Sequence, residues 1–501
     1  DTQCHFCHTC YHFTEADVEA LLAGDAHRDG CRGAGRARMT EPTVAPAEGV
    51  AFGAEAEVLI VGGGAAGMVA ALAAAEAGAE PVVVERDAVP RGSTALSAGL
   101  IPAGGTRWQE AAGIDDDAER FAADIRRKAK GELDEVVLGA VSGSIAGTLH
   151  WLADAHGLAF SVVTDFLYPG HSAHRMHGLA SRSGAELIDR LRAAVERAGV
   201  AVLTEAAART LFVDGDGTVR GVGIARPDGG EERIGCRALV LACNGYGGNR
   251  ALVRQHIPEL AEAVWFGHDG NRGEAVLWGE ALGASLAHLS GHQGHGSVAH
   301  PHGILITWAV IMQGGLQVNA LGQRFSDESE GYSEQAARVL AQPGGIAWDV
   351  FDERIAAIAR QFEDFRAAEA AGAVLRADSA QALAEAMKVP GAALAASLAE
   401  RGAPDRFGRD WKGVALLAPP YCAVRVTGAL FHTQGGLAIR DDARVRRAVG
   451  GVLPNLFAAG GAAAGLSGSR AAGYLSGNGL LTAVALGAIA GRESARLSRA
   501  V

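Results

Sequence analysis

Residues 58–75, VLIVGGGAAGMVAALAAA, decide how this chain folds. They carry no charged side chain, and a run of this length is long enough to span a membrane. Their internal order indicates something else, because a β-branched run is followed by glycines, then by an alanine-rich run, and then by PVVV at residues 81–84. This order predicts a strand, a tight turn, a helix and a second strand, which is the βαβ unit of a parallel sheet.

The turn between the first strand and the helix has the spacing GxGxxG. Gly62 permits a sharp turn, Gly64 lets the backbone approach a pyrophosphate, and Gly67 lets the helix pack close to the strand. The second strand ends at Glu85, 18 residues after Gly67, where a carboxylate can hydrogen-bond the hydroxyls of a ribose. We therefore predict a dinucleotide site in which Gly62, Gly64, Ala66, Gly67 and Glu85 contact the ligand.

Later segments favour FAD over NAD as that ligand. RGSTALSAG at residues 91–99 supplies small hydroxyl side chains that can lie under a pyrophosphate and a flavin ring. ALVLACNGYGGN (238–249) and LPNLFAAGG (453–461) are predicted strands that end in glycine, and GNGLLTAVALG (477–487) is a predicted helix whose N-terminus can meet the flavin. The predicted FAD contacts are completed by Arg86, Ser93, Thr94, Ser97, Gly99, Ala207, Asn244, Gly245, Gly460, Gly461, Asn478 and Leu480.

The bulk composition narrows the classes of partner. The 501 residues carry a net charge of −12, which argues against nucleic acid or an anionic membrane as the main partner. The N-terminal residues are polar and lack the apolar core of a secretory signal. We expect a cytoplasmic protein with no membrane span that acts on a small molecule.

The N-terminal segment, residues 1–38, is rich in cysteine and histidine, and residues 39–56 are predicted to be a linker. CHFCH at residues 4–8 has the CxxCH spacing of covalent c-type haem. The same cysteines can also hold zinc or an iron–sulfur cluster, or bind nothing. The candidate ligands of a zinc or other metal centre are Cys4, Cys7, Cys10 and Cys31.

Several blocks together resemble the flavoprotein family typified by fumarate reductase, urocanate reductase and 3-ketosteroid dehydrogenase. They include VLIVGGGAAG, GSTALSAG, QVNALGQRFSDES, HTQGGLAI and GNGLLTAVALG. The resemblance implies an α/β fold, with a Rossmann-like FAD-binding domain in two parts, 57–291 and 432–501, and an inserted α+β capping domain at 292–431. It also implies catalysis in the cleft between them.

The resemblance assigns candidate catalytic residues to two kinds of chemistry. Tyr332 stands where fumarate reductases have a proton-donating arginine, and Tyr474-Leu475-Ser476 is similar to the Tyr-x-Ser of ketosteroid dehydrogenases that form a 4-ene. Two tyrosines facing the flavin imply ketone chemistry, in which one polarises the carbonyl and the other takes the α-proton. The carboxylate-binding residues of the reductases are instead matched by His432, His295 and Arg470.

Three functions follow from these residues. The first is FAD-dependent oxidation, or its reverse, of a CH–CH bond next to a carbonyl. The second is a fumarate-reductase-like reduction of an unsaturated carboxylic acid. The third, of another class, is a flavin-binding electron-transfer or assembly protein without its own substrate. The predicted substrate is a cyclic ketone, a keto acid or a dicarboxylate.

We predict that the FAD is held without a covalent bond. Relatives with a histidyl-flavin link carry a histidine in the block that corresponds to GSTALSAG, and this chain has none there. Acid precipitation should therefore release the yellow colour into the supernatant as free FAD. Flavin absorbance that stays in the washed pellet would contradict this prediction.

Overall fold

The computed structural model describes residues 2–3, 10–11, 42–400 and 405–500. The chain divides into two compact units, Asp1–Pro42 and Thr43–Val501. In the first unit, strands β1 (Thr2–Gln3) and β2 (Cys10–Tyr11) pair antiparallel. The candidate metal ligands Cys4, Cys7 and Cys31 lie outside the described residues, and Cys10 is described only as a strand position.

The larger sheet of the second unit is built around the predicted βαβ unit. Its central pairs are parallel: β12 (Glu231–Leu241) with β4 (Ala54–Val61), β4 with β5 (Pro81–Val84), and β5 with β9 (Ala201–Leu203). Val61 lies opposite Val84 in the β4–β5 register. In the part of the chain that the structure describes, this sheet has nine strands: β3 (Thr43–Pro46), β4 (Ala54–Val61), β5 (Pro81–Val84), β9 (Ala201–Leu203), β10 (Ala207–Val213), β11 (Val219–Ala225), β12 (Glu231–Leu241), β22 (Arg444–Arg446) and β23 (Val452–Ala458).

Part of the segment predicted to be a linker, residues 39–56, forms strands of the larger sheet instead. Strand β3 pairs in parallel with β10 at the edge of the sheet, where Thr43 lies opposite Thr210. Strand β4 begins at Ala54, inside the same segment. The linker prediction relied on the proline and alanine content of the segment, but an edge strand tolerates proline because its outer N–H groups need no partner.

In the described residues, all strands of a second sheet lie between β12 and β22 in the chain. Its main pairs are antiparallel: β15 (His292–Ala299) with β20 (Tyr421–Thr433), β18 (Ile346–Asp352) with β20, and β17 (Leu316–Val318) with β18. The predicted domain boundaries at 292 and 431 fall at the first residue of β15 and near the end of β20. Within the described residues the sheet comprises β13 (Val264–Trp265), β15 (His292–Ala299), β16 (Ile304–Leu305), β17 (Leu316–Val318), β18 (Ile346–Asp352), β19 (Val374–Ala377) and β20 (Tyr421–Thr433).

The two sheets have separate apolar cores, and the predicted α/β class with an insertion is confirmed. Short strands form two further small sheets, from β6 (Ile101–Pro102), β7 (Ser161–Val162) and β8 (Met176–Gly178), and from β14 (Leu286–Ala287) and β21 (Gly436–Leu437). The helices of the described residues are α1 (Ala65–Glu76), α2 (Arg107–Ala111), α3 (Ala118–Lys128), α4 (Glu135–His156), α5 (Gly184–Arg197), α6 (Arg250–His256), α7 (Glu274–Ala281), α8 (Ala309–Met312), α9 (Tyr332–Leu340), α10 (Glu353–Ala359), α11 (Glu363–Ala370), α12 (Ala380–Met387), α13 (Gly391–Ala399) and α14 (Asn478–Ala500).

Helix α4 is long and apolar enough to cross a membrane by length and composition alone. Its buried positions, among them Val141, Ile145 and Leu149, belong to the core around the larger sheet. Asp134 caps its first turn by accepting hydrogen bonds from the backbone N–H groups of Val136 and Val137. The helix is thus placed as a core helix of the second unit.

Helices α1 and α14 pack directly against each other through glycine. A Cβ atom at Gly487 would lie 2.6 Å from the carbonyl oxygen of Ala66, and one at Gly491 would lie 2.2 Å from that of Ala70. Four residues separate Gly487 from Gly491 in α14, and four separate their partners Ala66 and Ala70 in α1. The residue numbers rise together along the contact, so the two helices run in the same direction. Asn478 begins α14 nine residues before Gly487, and Ala65 begins α1 one residue before Ala66, so at 1.5 Å per residue the start of α14 lies about 12 Å beyond the start of α1.

We expect Gly491→Ala to disturb this contact. The added methyl group must displace the backbone of α1, which should lower the free energy of unfolding by about 1–3 kcal/mol. Gly139→Ala is the matched control, since it lies in a helix with no atom within 4 Å of its Cβ position. That control should leave stability unchanged or raise it by about 0.5–1 kcal/mol. Urea unfolding measures both, and equal stability of the two variants would contradict the packing.

Candidate active site

The glycine turn after β4 leaves space at the start of α1. A Cβ atom at Gly62, whose φ is +109°, would lie 2.5 Å from the carbonyl oxygen of Ala242, and one at Gly67 would lie 1.9 Å from that of Gly62. A Cβ atom at Gly64 would have one neighbour within 4 Å among the described residues, the Thr94 hydroxyl at 3.5 Å. Gly64 is the N-cap of α1 and offers no side chain to cap it. The helix N-terminus is therefore open to an anion.

Glu85, the acid directly after β5, is buried and holds the glycine turn through hydrogen bonds. Glu85 accepts hydrogen bonds from the backbone N–H of Gly63 at 2.7 Å and of Asp87 at 2.9 Å. Arg86 forms an ion pair with Glu274 in α7 and donates to the carbonyl oxygen of Gly270 at 2.9 Å. The two side chains thus fix the backbone where a ribose would lie, and each carboxylate oxygen of Glu85 keeps a lone pair for a hydroxyl.

The small hydroxyl side chains after β5 bind protein groups in this structure. Ser93 accepts from the amides of Asn244 (3.0 Å) and Asn271 (2.9 Å), and Thr94 accepts from the backbone N–H of Ala65 (3.0 Å). Ser97 donates to the carbonyl oxygen of Thr94 at 2.7 Å. These bonds hold the 91–99 loop against α1 and against the end of β12.

Three further residues predicted to contact FAD are Gly99, Ala207 and Leu480. A Cβ atom at Gly99 would lie 2.5 Å from the carbonyl oxygen of Ser183, so this glycine is needed where the loop meets α5. Ala207 begins β10, and Leu480 lies in the first turn of α14.

The glycine ends of β12 and β23 meet beside α1. A Cβ atom at Gly461 would lie 2.1 Å from the Asn244 amide oxygen, and one at Gly245 would lie 2.0 Å from the Thr433 hydroxyl. A Cβ atom at Gly460 would lie 3.1 Å from the Ala66 methyl group. At the start of α14, the buried Oδ1 atom of Asn478 has no protein partner. A first helix whose N-cap residue has no side chain, the open space at Gly64 and an unpaired amide oxygen at the second helix start fit an extended dinucleotide, as FAD is.

Five of the six predicted catalytic residues converge where α9 faces the start of α14. The Tyr332 hydroxyl lies 3.0 Å from the Ser476 Oγ atom. The ring centres of Tyr332 and Tyr474 are 6.5 Å apart, and those of Tyr474 and His432 are 5.3 Å apart. His295 stacks on Tyr332 with a centroid distance of 5.0 Å. Helix α9, the end of β20 and the turn before α14 thus supply one cluster.

Both histidines of this cluster are held by a neighbour at one ring nitrogen. The backbone N–H of Ser297 donates to His295 Nδ1 at 3.1 Å, so the hydrogen of the neutral ring is on Nε2. The amide Nε2 of Gln434 lies 3.0 Å from His432 Nδ1. Burial lowers the pKa of His295 to about 3 and that of His432 to about 4, so both rings are neutral at physiological pH.

The two tyrosines keep their protons. Burial raises the pKa of Tyr474 to about 12, although backbone hydrogen bonds at Gly479 and Gly477 offset part of the rise. Burial also holds the pKa of Tyr332 well above its usual value, and its bond to Ser476 opposes that rise. Among the described residues, no arginine or lysine is a principal cause of any of these four pKa shifts.

Arg470 is not brought to this cluster. Its side chain is 64% exposed and forms an ion pair with Glu132 at 2.8 Å. Glu334 lies two residues after Tyr332 and forms an ion pair with Lys128 of α3 at 2.8 Å. The charge of Lys128 is therefore already balanced. The described side chains that form the cluster are thus four aromatic rings and one hydroxyl, none of which is charged at neutral pH.

Sequence reasoning missed several of the surrounding side chains. The Trp308 ring meets His295 edge-on at 5.6 Å, and Phe431 stacks between His295 (5.4 Å) and Phe266 (4.7 Å). His171 donates its Nε2 hydrogen to the carbonyl oxygen of Ser476 at 2.9 Å. The sequence could have indicated Phe431, because it directly precedes the predicted residue His432. His171 lies in a loop and belongs to no periodic pattern, so the sequence gives no indication of it.

No metal site lies among the described side chains. Within residues 42–400 and 405–500, no group of three or more histidine, cysteine, aspartate or glutamate side chains could hold a metal ion. The histidine-rich stretch from His288 to His302 spreads along β15 and its flanking turns. Cys236, Cys243 and Cys422 are free thiols.

Comparison with known proteins agrees with this geometry. The FAD binding domain family matches residues 57–480. A protein of Shewanella frigidimarina named "Probable fumarate reductase Ifc3" is 30% identical over 446 residues, which cover 88% of this chain and 75% of that protein.

Two solved structures share the fold. The open conformation of a flavocytochrome c3 fumarate reductase superposes with a TM-score of 0.76 at 28% identity, covering 89% of this chain and 79% of that one. The 3-ketosteroid Δ4-(5α)-dehydrogenase of Rhodococcus jostii RHA1, in complex with 4-androstene-3,17-dione, gives a TM-score of 0.72 at 24% identity, covering 91% and 99%. The resemblance predicted from the motifs is confirmed: the chain belongs to the FAD binding domain family and is an FAD-dependent oxidoreductase of the fumarate reductase family.

Proposed function

We propose that this oxidoreductase acts on a carbon–carbon bond conjugated to an uncharged carbonyl, as in a cyclic ketone of the 3-ketosteroid kind. The observation that carries the proposal is the Tyr332–Ser476 hydrogen bond beside Tyr474, in an aromatic cluster where no described arginine or lysine is a principal cause of the pKa shifts. A carboxylate substrate needs compensating positive charge when it leaves water. The predicted carboxylate ligand Arg470 is exposed and paired with Glu132 instead.

The start of α14 is suited to bind the carbonyl oxygen. Tyr474 is a protonated donor, and its hydroxyl lies near the backbone of Gly477 and Gly479. The N-terminus of a helix adds unpaired N–H groups and a positive dipole end. Donors placed at an oxygen that gains negative charge stabilise the enolate-like transition state of this reaction.

The Tyr332–Ser476 pair is suited to the proton at the α-carbon. FAD, when bound, would supply the hydride chemistry at the β-carbon, and the residues of this chain handle the proton. Tyr332 is protonated at neutral pH, so it can donate to the α-carbon in the direction of reduction. In the direction of dehydrogenation it must first lose its proton, and Ser476 is the group within 3.0 Å that can pass it.

A second candidate is the reduction of an unsaturated carboxylic acid. It is favoured by the 30% identity with the protein named as a probable fumarate reductase. His295 and His432 would then bind the acid as neutral N–H donors. Membership of an oxidoreductase family gives no support to a flavin-binding electron-transfer or assembly role without a substrate.

Paired variants separate these candidates. Tyr474→Phe removes the carbonyl donor and should lower kcat by about 10²-fold or more while the protein keeps its FAD. Arg470→Ala should change neither kcat nor KM by more than about threefold, since an exposed ion pair contributes little. Steady-state rates with 4-androstene-3,17-dione and with fumarate measure both. A Tyr474→Phe enzyme of full activity, together with a large rise in KM in Arg470→Ala, would support the carboxylate reading instead.

The raised pKa of Tyr332 predicts a different pH profile for each direction of the reaction. Reduction needs the protonated phenol, so its rate should be flat between about pH 6 and 9. Dehydrogenation of the saturated ketone needs the deprotonated form, so its rate should rise with pH, by up to about tenfold per unit. Initial rates in both directions with the Tyr332→Phe variant as control measure this. A dehydrogenation rate that falls as pH rises would contradict the assigned role.

A further inference from the structure

A buried group of charged and polar side chains lies behind the turn that carries Ser476, and the proposed chemistry does not use it. His171, Arg175 and Asp124 are 6%, 1% and 1% exposed. They come from α3 and from the loop before β8, which the sequence motifs do not mark. Buried charges are costly unless they are paired, so a group of this kind requires a structural or functional reason.

His171 joins this group to the catalytic turn. Its Nε2 atom lies 2.9 Å from the carbonyl oxygen of Ser476, and since a carbonyl only accepts, Nε2 carries the hydrogen. The other ring nitrogen, Nδ1, faces an Arg175 NH group at 3.5 Å. The ring also stacks on Phe121 at 6.2 Å. The imidazole is thus fixed in orientation and in tautomer.

Arg175 is itself held in place by two carboxylates. Its guanidinium donates to both oxygens of Asp116, at 2.9 and 2.6 Å, and also pairs with Asp124. Asp124 accepts in addition from the backbone N–H of Ser172 at 2.7 Å and pairs with Arg127 at 2.6 Å. Two-point binding of a guanidinium by a carboxylate fixes direction as well as distance. The support behind His171 is therefore rigid.

The bond from His171 reaches the peptide whose side chain meets Tyr332. Ser476 is followed by Gly477, whose φ is +87°, and then by the first residue of α14. A turn before a helix has few other backbone partners, so one hydrogen bond to the Ser476 carbonyl restricts its peptide plane. The same restriction sets where Oγ points, 3.0 Å from the Tyr332 hydroxyl.

We propose that His171, backed by Arg175, is a positioning residue that holds the Ser476 peptide so that its hydroxyl stays in contact with Tyr332. The proposal rests on the proposed function only in giving the Tyr332–Ser476 pair a role in proton transfer. His171 touches neither substrate nor cofactor in this account. Its effect is on the geometry of the pair, and a displacement of about 1 Å at such a pair can cost about 10²-fold in rate.

Two substitutions of the same side chain test the proposal in the holoenzyme. His171→Leu removes the donor, and His171→Gln retains an N–H at about the same reach. His174→Leu is the matched control, because its ring bonds Phe166 rather than the catalytic turn. With whichever of 4-androstene-3,17-dione or fumarate the wild type turns over, His171→Leu should lower kcat by about 10- to 100-fold with KM within about threefold and FAD retained. His171→Gln and His174→Leu should stay within about threefold of wild type.

A measurement without substrate separates this proposal from the proposed function. Hydrogen–deuterium exchange of the peptide covering residues 472–480 should be faster in His171→Leu and unchanged in His171→Gln, with the rest of the chain unaffected. Unchanged exchange in that peptide, acceleration throughout the protein, or equal loss in the Gln and Leu variants would overturn the role of His171. If the wild type turns over neither substrate, the proposed function fails and the exchange result alone decides. Should His171→Leu not fold, His171→Asn, whose amide is too short to reach Ser476, takes its place with the same expected outcomes.

Discussion

The glycine-mediated contact between helices α1 and α14 is the constraint on which the site depends. Two carbonyl groups of α1 occupy the space that Cβ atoms of Gly487 and Gly491 would need, so the helix axes approach closely. Because the helices run parallel, both N-termini present unpaired N–H groups in the same direction. The offset of about 12 Å between them lets α1 serve a pyrophosphate while α14 reaches farther along the same extended ligand.

The start of α14 also belongs to the catalytic cluster, so one helix links the cofactor to the substrate. Tyr474 and Ser476 lie in the turn directly before Asn478, and Tyr332 reaches them from α9 of the inserted part. Burial then sets the protonation states. It keeps both tyrosines protonated and both cluster histidines neutral, which leaves a pocket of uncharged hydrogen-bond donors. This set of uncharged donors is the basis on which we propose a ketone rather than a carboxylate as the substrate.

The sequence predicts the parts of this arrangement that are local in the chain. The βαβ unit at residues 58–84 is readable because strand, turn and helix each have their own residue pattern, and the resemblance adds the insertion and the convergence of Tyr332, Tyr474 and Ser476. Other features depend on distant partners. Arg470 lies on the surface because Glu132 pairs with it there, and strand β3 forms because β10 offers a free edge. His171 has no motif, and its role follows only from a carbonyl 305 residues away in the chain.

The central claim is that the pocket accepts an uncharged conjugated ketone. Its most direct test is to reduce the bound FAD anaerobically and to follow the return of the flavin's visible absorption after mixing with 4-androstene-3,17-dione or with fumarate. The ketone should reoxidise the flavin at least about tenfold faster than fumarate at equal concentration, a difference in activation free energy of about 1.4 kcal/mol. Rapid reoxidation by fumarate with none by the ketone would contradict the claim.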